Sequence, residues 1–194
     1  MLMNVADKPD LNHHPEDNVI IDMILDPSTY ETGFKLLVLK YQEPLYWHIR
    51  KLVHRHEDAD DVIQNTFIKV FRNLKNFKRE SKLYTWLYRI ATNESITHIN
   101  GLKRRAGFED ESVVELQDHL KADEYFDGGE AERMMVQAID RLPEKQRVVF
   151  NLRYYEEMSY NDMSQVLETS VGALKASYHH AVKKIEEYLK RAIS

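Results

Sequence analysis

Residues 58–93 read DADDVIQNTFIKVFRNLKNFKRESKLYTWLYRIATN, and the reading of this stretch decides the fold. In its first half Val62, Phe67, Val70, Phe71 and Leu74 recur at spacings that fall on one side of a 3.6-residue helix. Asp58, Asp61, Gln64, Asn65 and Lys69 take the opposite side. A basic segment carrying rings follows, with Lys75, Phe77, Lys78, Arg79, Lys82, Tyr84 and Trp86. Such a surface neutralises phosphates while offering flat faces to unstacked bases. Ser81 stands where a cap for the next helix belongs. An aromatic stripe at helical spacing is ordinarily core, which assigns Trp86 and Leu87 to packing first. Phe77 and Tyr84, flanked by Lys and Arg, serve either the core or a base, and the residues alone leave both open.

The rest of the chain extends the helical pattern. Its 194 residues make one large domain or two small ones, with 6 Gly, 5 Pro and no cysteine. Few helix breakers and repeated 3.6-residue patterns indicate an all-α protein, and the absence of cysteine excludes disulfides and thiolate zinc sites. No leader with a basic-then-apolar character opens the chain, and no apolar run approaches bilayer length, so a soluble cytoplasmic protein without membrane insertion is expected. The net charge of -5 is segregated. Residues 35–105 hold fifteen Lys and Arg against seven carboxylates, giving +8, and residues 131–194 hold ten against nine, giving +1. Residues 1–34 carry one Lys against seven carboxylates, giving -6, and residues 106–130 carry one against nine, giving -8. A duplex meets the local field rather than the net value.

Residues 1–29 form a polar leader with Pro9, Pro15 and Pro27, in which only Val19 to Leu25 is briefly amphipathic. Phe34 to Tyr41 and Leu45 to Val53 read as helical, with Pro44 restarting or kinking the helix. His54 and His56 fall before the acidic run, where solvated loop residues are expected. Ser95 to Ile99 finishes a helix, Gly101 follows its end, and Lys103, Arg104 and Arg105 lie beyond. Residues 106–130, AGFEDESVVELQDHLKADEYFDGGE, have no sustained periodicity and read as a flexible acidic linker.

Residues 131–194 carry a four-helix pattern of their own. Met134, Met135, Ala138, Ile139 and Leu142 begin it, and Pro143 suits the first turn of a helix through Val148, Val149, Leu152 and Tyr155. Ser159 with Asp162 resembles a capping box before Met163, Val166 and Leu167. After a turn at Glu168 and Thr169, Ser170 caps a last helix whose Val171, Leu174, Tyr178, Ala181, Val182, Ile185 and Leu189 face inward. A short helix, a tight turn and a longer capped helix make a helix-turn-helix, whose second helix enters the major groove. Facing away from the stripe are Gly172, Ala173, Lys175, Ala176, Ser177, His179 and His180, with Lys175 foremost for a phosphate or guanine contact. Neither adjacent pair, His13 with His14 or His179 with His180, shares a helix face as metal ligands do.

The runs DADDVIQNTFIKVF and LKNFKRESKLYTWLYRIATNES strongly resemble region 2 of bacterial extracytoplasmic-function sigma factors, the small promoter-recognition subunits of RNA polymerase. The resemblance extends from about Phe34 to Arg105, and LPEKQRVVFNLRYYEEMSYNDMSQVLETSVGALKASYHHAVKKIEEYL resembles sigma region 4 throughout. It implies two helical domains, 30–105 and 131–194, with no cofactor. By position it assigns Asp58, Asp61, Val62, Gln64, Asn65 and Phe67 to the beta-prime clamp helices of the polymerase core. Opening of the minus-ten element maps to Phe77, Lys78, Arg79, Ser81, Lys82, Tyr84, Thr85 and Trp86, with Arg89 and Asn93 behind them. Duplex contacts fall on Lys103, Arg104 and Arg105. Many relatives carry Asp and Arg where this chain has Thr97 and Asn100, which moves the readout toward His98, Asn100 and the basic triplet. The second domain would read the minus-thirty-five element and touch the beta flap. Relatives often have Arg where Ser177 and His180 stand here, which lowers electrostatic affinity and shifts sequence preference. An anti-sigma factor is a further implied partner.

Two other classes compete. A free-standing helix-turn-helix regulator leaves residues 58–93 without a purpose. An enzyme lacks support, since there is no glycine-rich phosphate loop, no cysteine, and no carboxylate and histidine pair at metal spacing on one helix face.

Overall fold

A computed structural model describes residues 15–105 and 129–193. Among these residues there are helices and no strand, in the order α1 (Asp17–Leu25), α2 (Tyr30–Val53), α3 (His56–Asn73), α4 (Leu83–Arg105), α5 (Glu130–Asp140), α6 (Glu144–Tyr154), α7 (Tyr160–Leu167) and α8 (Val171–Ile193). Helices α1 to α4 make an N-terminal lobe and α5 to α8 a C-terminal one. His13, His14 and most of the acidic linker lie outside the described residues. No described helix is long and apolar enough to cross a membrane.

The N-terminal lobe is built on α2, which runs through Pro44 as one helix and does not restart there. A proline inside a helix costs about 3 kcal/mol. Leu37, Tyr41, Leu45 and Ile49 stay in phase across it and are all buried, so packing of the continuous face offsets the lost backbone bond. The stretch expected as a polar leader contributes α1, with Ile20, Ile21 and Ile24 in the core, so this lobe begins before residue 30. Asp17 anchors it by accepting from Lys40 Nζ at 2.8 Å and from Tyr41 Oη at 2.7 Å. At Gly33 the two helices touch: a Cβ there would lie 2.9 Å from both Ile24 Cγ1 and Met23 Cβ.

Helix α4 also outruns expectation, passing through Gly101 to Arg105 instead of stopping after Ile99. Gly101 costs about 1 kcal/mol in a helix interior. Lys103, Arg104 and Arg105 then fall in the last turn, where cations complement the helix dipole. At the other end the Lys82 carbonyl accepts the first helical hydrogen bond from Trp86, so Lys82 rather than Ser81 takes the capping position.

In the C-terminal lobe the expected caps are present. Ser159 Oγ accepts from the Asp162 amide at 3.1 Å and donates to Asp162 Oδ2 at 2.6 Å. Ser170 Oγ accepts from the Ala173 amide at 3.3 Å. Glu168 takes the left-handed conformation (φ 50°) that turns α7 into α8. Leu174, Ala181 and Ile185 of the α8 stripe are buried, with Tyr178, Val182 and Leu189 packed at the edge.

The lobes are packed on each other. Val148, Val149, Leu152, Met158, Met163, Val166 and Leu174 belong to the same apolar cluster as the core of the first lobe. Along this seam α7 lies against α4 and α6 against α2.

Candidate nucleic-acid interface

The segment joining α3 to α4 carries the basic residues and the rings. A 3-10 turn, Leu74–Asn76, closes with the Phe77 amide donating to the Leu74 carbonyl at 3.0 Å. Phe77 is 8% exposed and its ring centre lies 5.3 Å from that of Trp86, which settles the open alternative for Phe77 in favour of the core. Trp86 is half-buried on the wall of a shallow recess of about 420 Å3, shared with Lys69, Asn73, Asn76, Ile90, Asn93 and Glu94. Polar amides around one ring edge suit a single unstacked base. Lys78 is exposed, and Arg79, at φ 57°, pairs with Asp22 of α1.

The other predicted minus-ten residues divide between solvent and seam. Asn93, Asn100, Arg104 and Arg105 are exposed, and Ser81 is half-buried. His98 Nε2 lies 2.9 Å from Asp58 Oδ1, tying α4 to α3. Tyr84, Thr85, Lys82, Arg89 and Lys103 face the second lobe instead. Tyr84 Oη donates to the Glu156 carbonyl at 3.3 Å, and Lys82 Nζ lies 3.1 Å from Asp162 Oδ2. Thr85, 1% exposed, has its Oγ1 3.4 Å from Asp162 Oδ1. Arg89 pairs with Glu168, and Lys103 Nζ with Glu144 Oε2 at 2.8 Å. Burial pushes the Asp162 carboxyl up, but hydrogen bonds from Ser159, Lys82 and Thr85 outweigh it and hold the group below its ordinary value.

Behind these residues lies a buried polar cluster. Glu156 Oε2 accepts from Tyr88 Oη at 2.7 Å and Oε1 from Lys51 Nζ at 3.3 Å. Burial, then the Glu156 charge, raises the Tyr88 hydroxyl far above its ordinary range. His48 is fully buried, its Nε2 2.9 Å from Thr92 Oγ1; burial and then nearby Lys51 push it down to about 3. The ring is therefore neutral, and its 3.9 Å approach to Glu156 is no ion pair. His54 also departs from expectation: it ends α2 at φ 66°, and instead of lying in solvent its side chain is 13% exposed, 3.5 Å from Asp140.

The face assigned to the polymerase is only partly available. Asp61, Gln64 and Asn65 are exposed, Asp58 is half-buried, and Val62 is 1% exposed in the core, so Val62 supports the face from beneath. Phe67 lines a mostly apolar groove of about 1060 Å3 between α2 and α3, with Phe34, Val38, Tyr46, Ile68 and Phe71. Phe71, expected inward, is 49% exposed there, edge-on to Phe34 at 5.1 Å. The sequence signal for this groove was the second ladder Ile63, Phe67 and Phe71, four residues apart, facing Phe34 and Val38.

On α8, Gly172, Ala173, Lys175, Ala176, His179 and His180 are exposed and Ser177 half-buried, all within the first turns after the Ser170 cap. Lys175 Nζ lies 5.7 Å from the Tyr160 ring centre, and the His179 and His180 rings are 5.9 Å apart. Among the described residues no group of three or more His, Asp and Glu is placed to hold a metal ion.

An exposed helix-turn-helix and a basic lobe carrying aromatic side chains, both all-helical, define a DNA-binding protein of the transcription machinery. Residues 37–105 match sigma-70 region 2, and residues 132–185 match sigma-70 region 4. The chain is 36% identical over 173 residues to the RNA polymerase sigma-H factor of Pseudomonas aeruginosa, covering 81% of this chain and 86% of the relative. It is 32% identical over 163 residues to the ECF RNA polymerase sigma-E factor of Haemophilus influenzae, covering 79% and 86%. Its fold is similar to CnrH in complex with the cytosolic domain of CnrY, with TM-score 0.67 and 22% identity, covering 90% of this chain and 97% of that one. The chain belongs to the extracytoplasmic-function branch of the sigma-70 family. It is a sigma factor, a transcription initiation factor and not an enzyme.

Proposed function

We propose that this sigma factor binds core RNA polymerase through Asp58, Asp61, Gln64, Asn65 and Phe67 and opens promoters through the 77–105 segment. The α8 face around Lys175 reads the upstream element, and the acidic segment 106–130 tethers the two activities. What supports this reading is the presence in one chain of an exposed helix-turn-helix face and a recess walled by Trp86 and lined by Asn73, Asn76 and Asn93. Trp86 and the Asn73, Asn76 and Asn93 amides would hold a captured base, while exposed Arg104 and Arg105, about 27 Å away at the other end of α4, would meet phosphates further along the duplex.

Energetics make the polymerase necessary. Opening ten base pairs sacrifices about 1.4 kcal/mol per step, and each base stacked on a ring returns about 1–3 kcal/mol. Two or three captured bases do not cover that cost, so this subunit traps an opening that the larger enzyme completes. One solved neighbour is the sigma factor RpoE in complex with the anti-sigma factor NepR from Bartonella quintana. That complex supports an anti-sigma partner for this chain as well. Co-purification with core polymerase tests the assignment: a stable complex that protects both promoter elements supports it, and failure to form any complex with the core enzyme contradicts it.

A further inference from the structure

The corner between α1 and α2 reaches the segment that walls the Trp86 recess at three points. Tyr30 Oη, at the start of α2, donates to the Phe71 carbonyl at 3.2 Å. The Lys75 ammonium lies 4.9 Å from the centre of the Tyr30 ring. Beyond the 3-10 turn, Asp22 of α1 pairs with Arg79. Asn73 and Asn76, which line the recess, fall between these attachments along the chain.

The corner itself is fixed. Ile20, Ile21 and Ile24 bury α1 in the core, Thr29 Oγ1 donates to the Met23 carbonyl at 2.8 Å, and Gly33 leaves no room for a Cβ between the helices. A packed helix holds a polar constellation more tightly than a loop holds itself. Arg79 needs such support, because its φ of 57° is one that side chains with a Cβ seldom adopt.

We infer that α1 braces the minus-ten recess, and that Asp22 is a positioning residue for promoter opening that acts through Arg79. The inference rests on the reading of the Trp86 recess as the site of base capture. It gives Arg79 a task other than the expected one: the guanidinium fixes the left-handed bend after Phe77 and Lys78 instead of meeting a phosphate. Both α1 and Tyr30 precede residue 37, where the match to sigma-70 region 2 begins. The pair does not act by adding stability. Asp22 is 68% exposed and Arg79 41%, and exposed pairs are worth little to folding. A small bias suffices at a recess where a shift of about 1 Å misplaces the captured group.

Holoenzyme assembled from core polymerase and the full chain separates two quantities, affinity for upstream duplex and the rate at which permanganate reactivity appears in the minus-ten region. Asp22→Ala should slow opening about fivefold, the scale of one exposed ion pair, with core affinity, upstream affinity and melting temperature unchanged. Arg79→Gln should slow it to the same extent and the double variant no further, because the two side chains act as one unit. The salt dependence of opening should be the same in Arg79→Gln as in the wild type. Asp22→Glu, which keeps the carboxylate, should recover most of the rate. Opening by Asp22→Ala at the wild-type rate overturns the brace. So does a salt slope about one unit shallower in Arg79→Gln, the signature of a lost phosphate contact, or an Asp22→Ala loss shared by core affinity and melting temperature. Wild-type holoenzyme that produces no minus-ten reactivity overturns the base-capture reading and the brace together.

Discussion

Tyr88 on α4 donates its hydroxyl to Glu156 Oε2 at 2.7 Å, joining the two lobes through a carboxylate only 10% exposed. Hydrogen bonds to a buried charge contribute about 1.5–3 kcal/mol. Tyr88→Phe is therefore expected to lower stability by about 2 kcal/mol. Glu156→Gln removes the charge that makes the bond strong, so the double variant should cost less than the sum of the singles. Urea unfolding of the four proteins measures this; additive losses would show that the two groups do not interact.

His48 gives the seam a pH dependence. The unfolded side chain takes up a proton near pH 6.5, whereas the buried ring resists until about 3. Its contribution stands above pH 6.5 and is lost as pH falls toward 3, at up to about 1.4 kcal/mol per pH unit. Asp140 has the opposite sign: burial, despite Arg147 and Arg50, pushes it up to about 6, so its contribution is largest below its unfolded value of 3.8 and is lost as pH rises through 6. The two oppose each other across that interval. Subtracting the stability profile of His48→Gln from the wild type isolates the histidine, and the difference should shrink steadily on acidification below pH 6.5.

The groove between α2 and α3 separates stability from assembly. Ile68 is 47% exposed at its edge, so Ile68→Glu should change folding stability by about 0.5 kcal/mol or less. Its affinity for core polymerase should fall about tenfold or more, because a carboxylate then has to be desolvated against apolar surface. Fluorescence anisotropy with labelled chain and core enzyme measures the second quantity, and thermal melting the first.

Lys175 should act on one promoter element only. It is exposed on the first turns of α8, and a single phosphate contact contributes a salt slope of about one. Lys175→Ala is expected to weaken holoenzyme binding to upstream duplex and to flatten its salt dependence. Permanganate reactivity of the minus-ten bases, once the complex has formed, should be unchanged.

Most of the fold was legible because local chemistry and tertiary packing agree. Ser159 with Asp162, Ser170 and the α8 stripe all appear where residue spacing placed them. The misses share one cause: a tertiary contact overrode a local rule. Pro44 was read as restarting or kinking the helix, yet the buried face from Leu37 to Ile49 carries α2 through it without a restart. Gly101 was read as an end, yet the dipole and the Glu144 partner of Lys103 extend α4. Val62 is core as its place in the apolar stripe implied, but Phe71 of the same stripe rims a groove, since helix periodicity fixes a face without saying what packs on it. The seam had no local signal at all, because Glu156, Asp162 and Glu168 lie roughly 70 to 80 positions from Tyr88, Lys82, Thr85 and Arg89.

Run-off transcription with purified core polymerase on a genomic fragment library tests the central claim most directly. The account predicts discrete transcripts that appear only when this chain is added and that start a fixed distance downstream of a shared pair of sequence elements. Core enzyme that yields the same transcripts with and without the chain would contradict it.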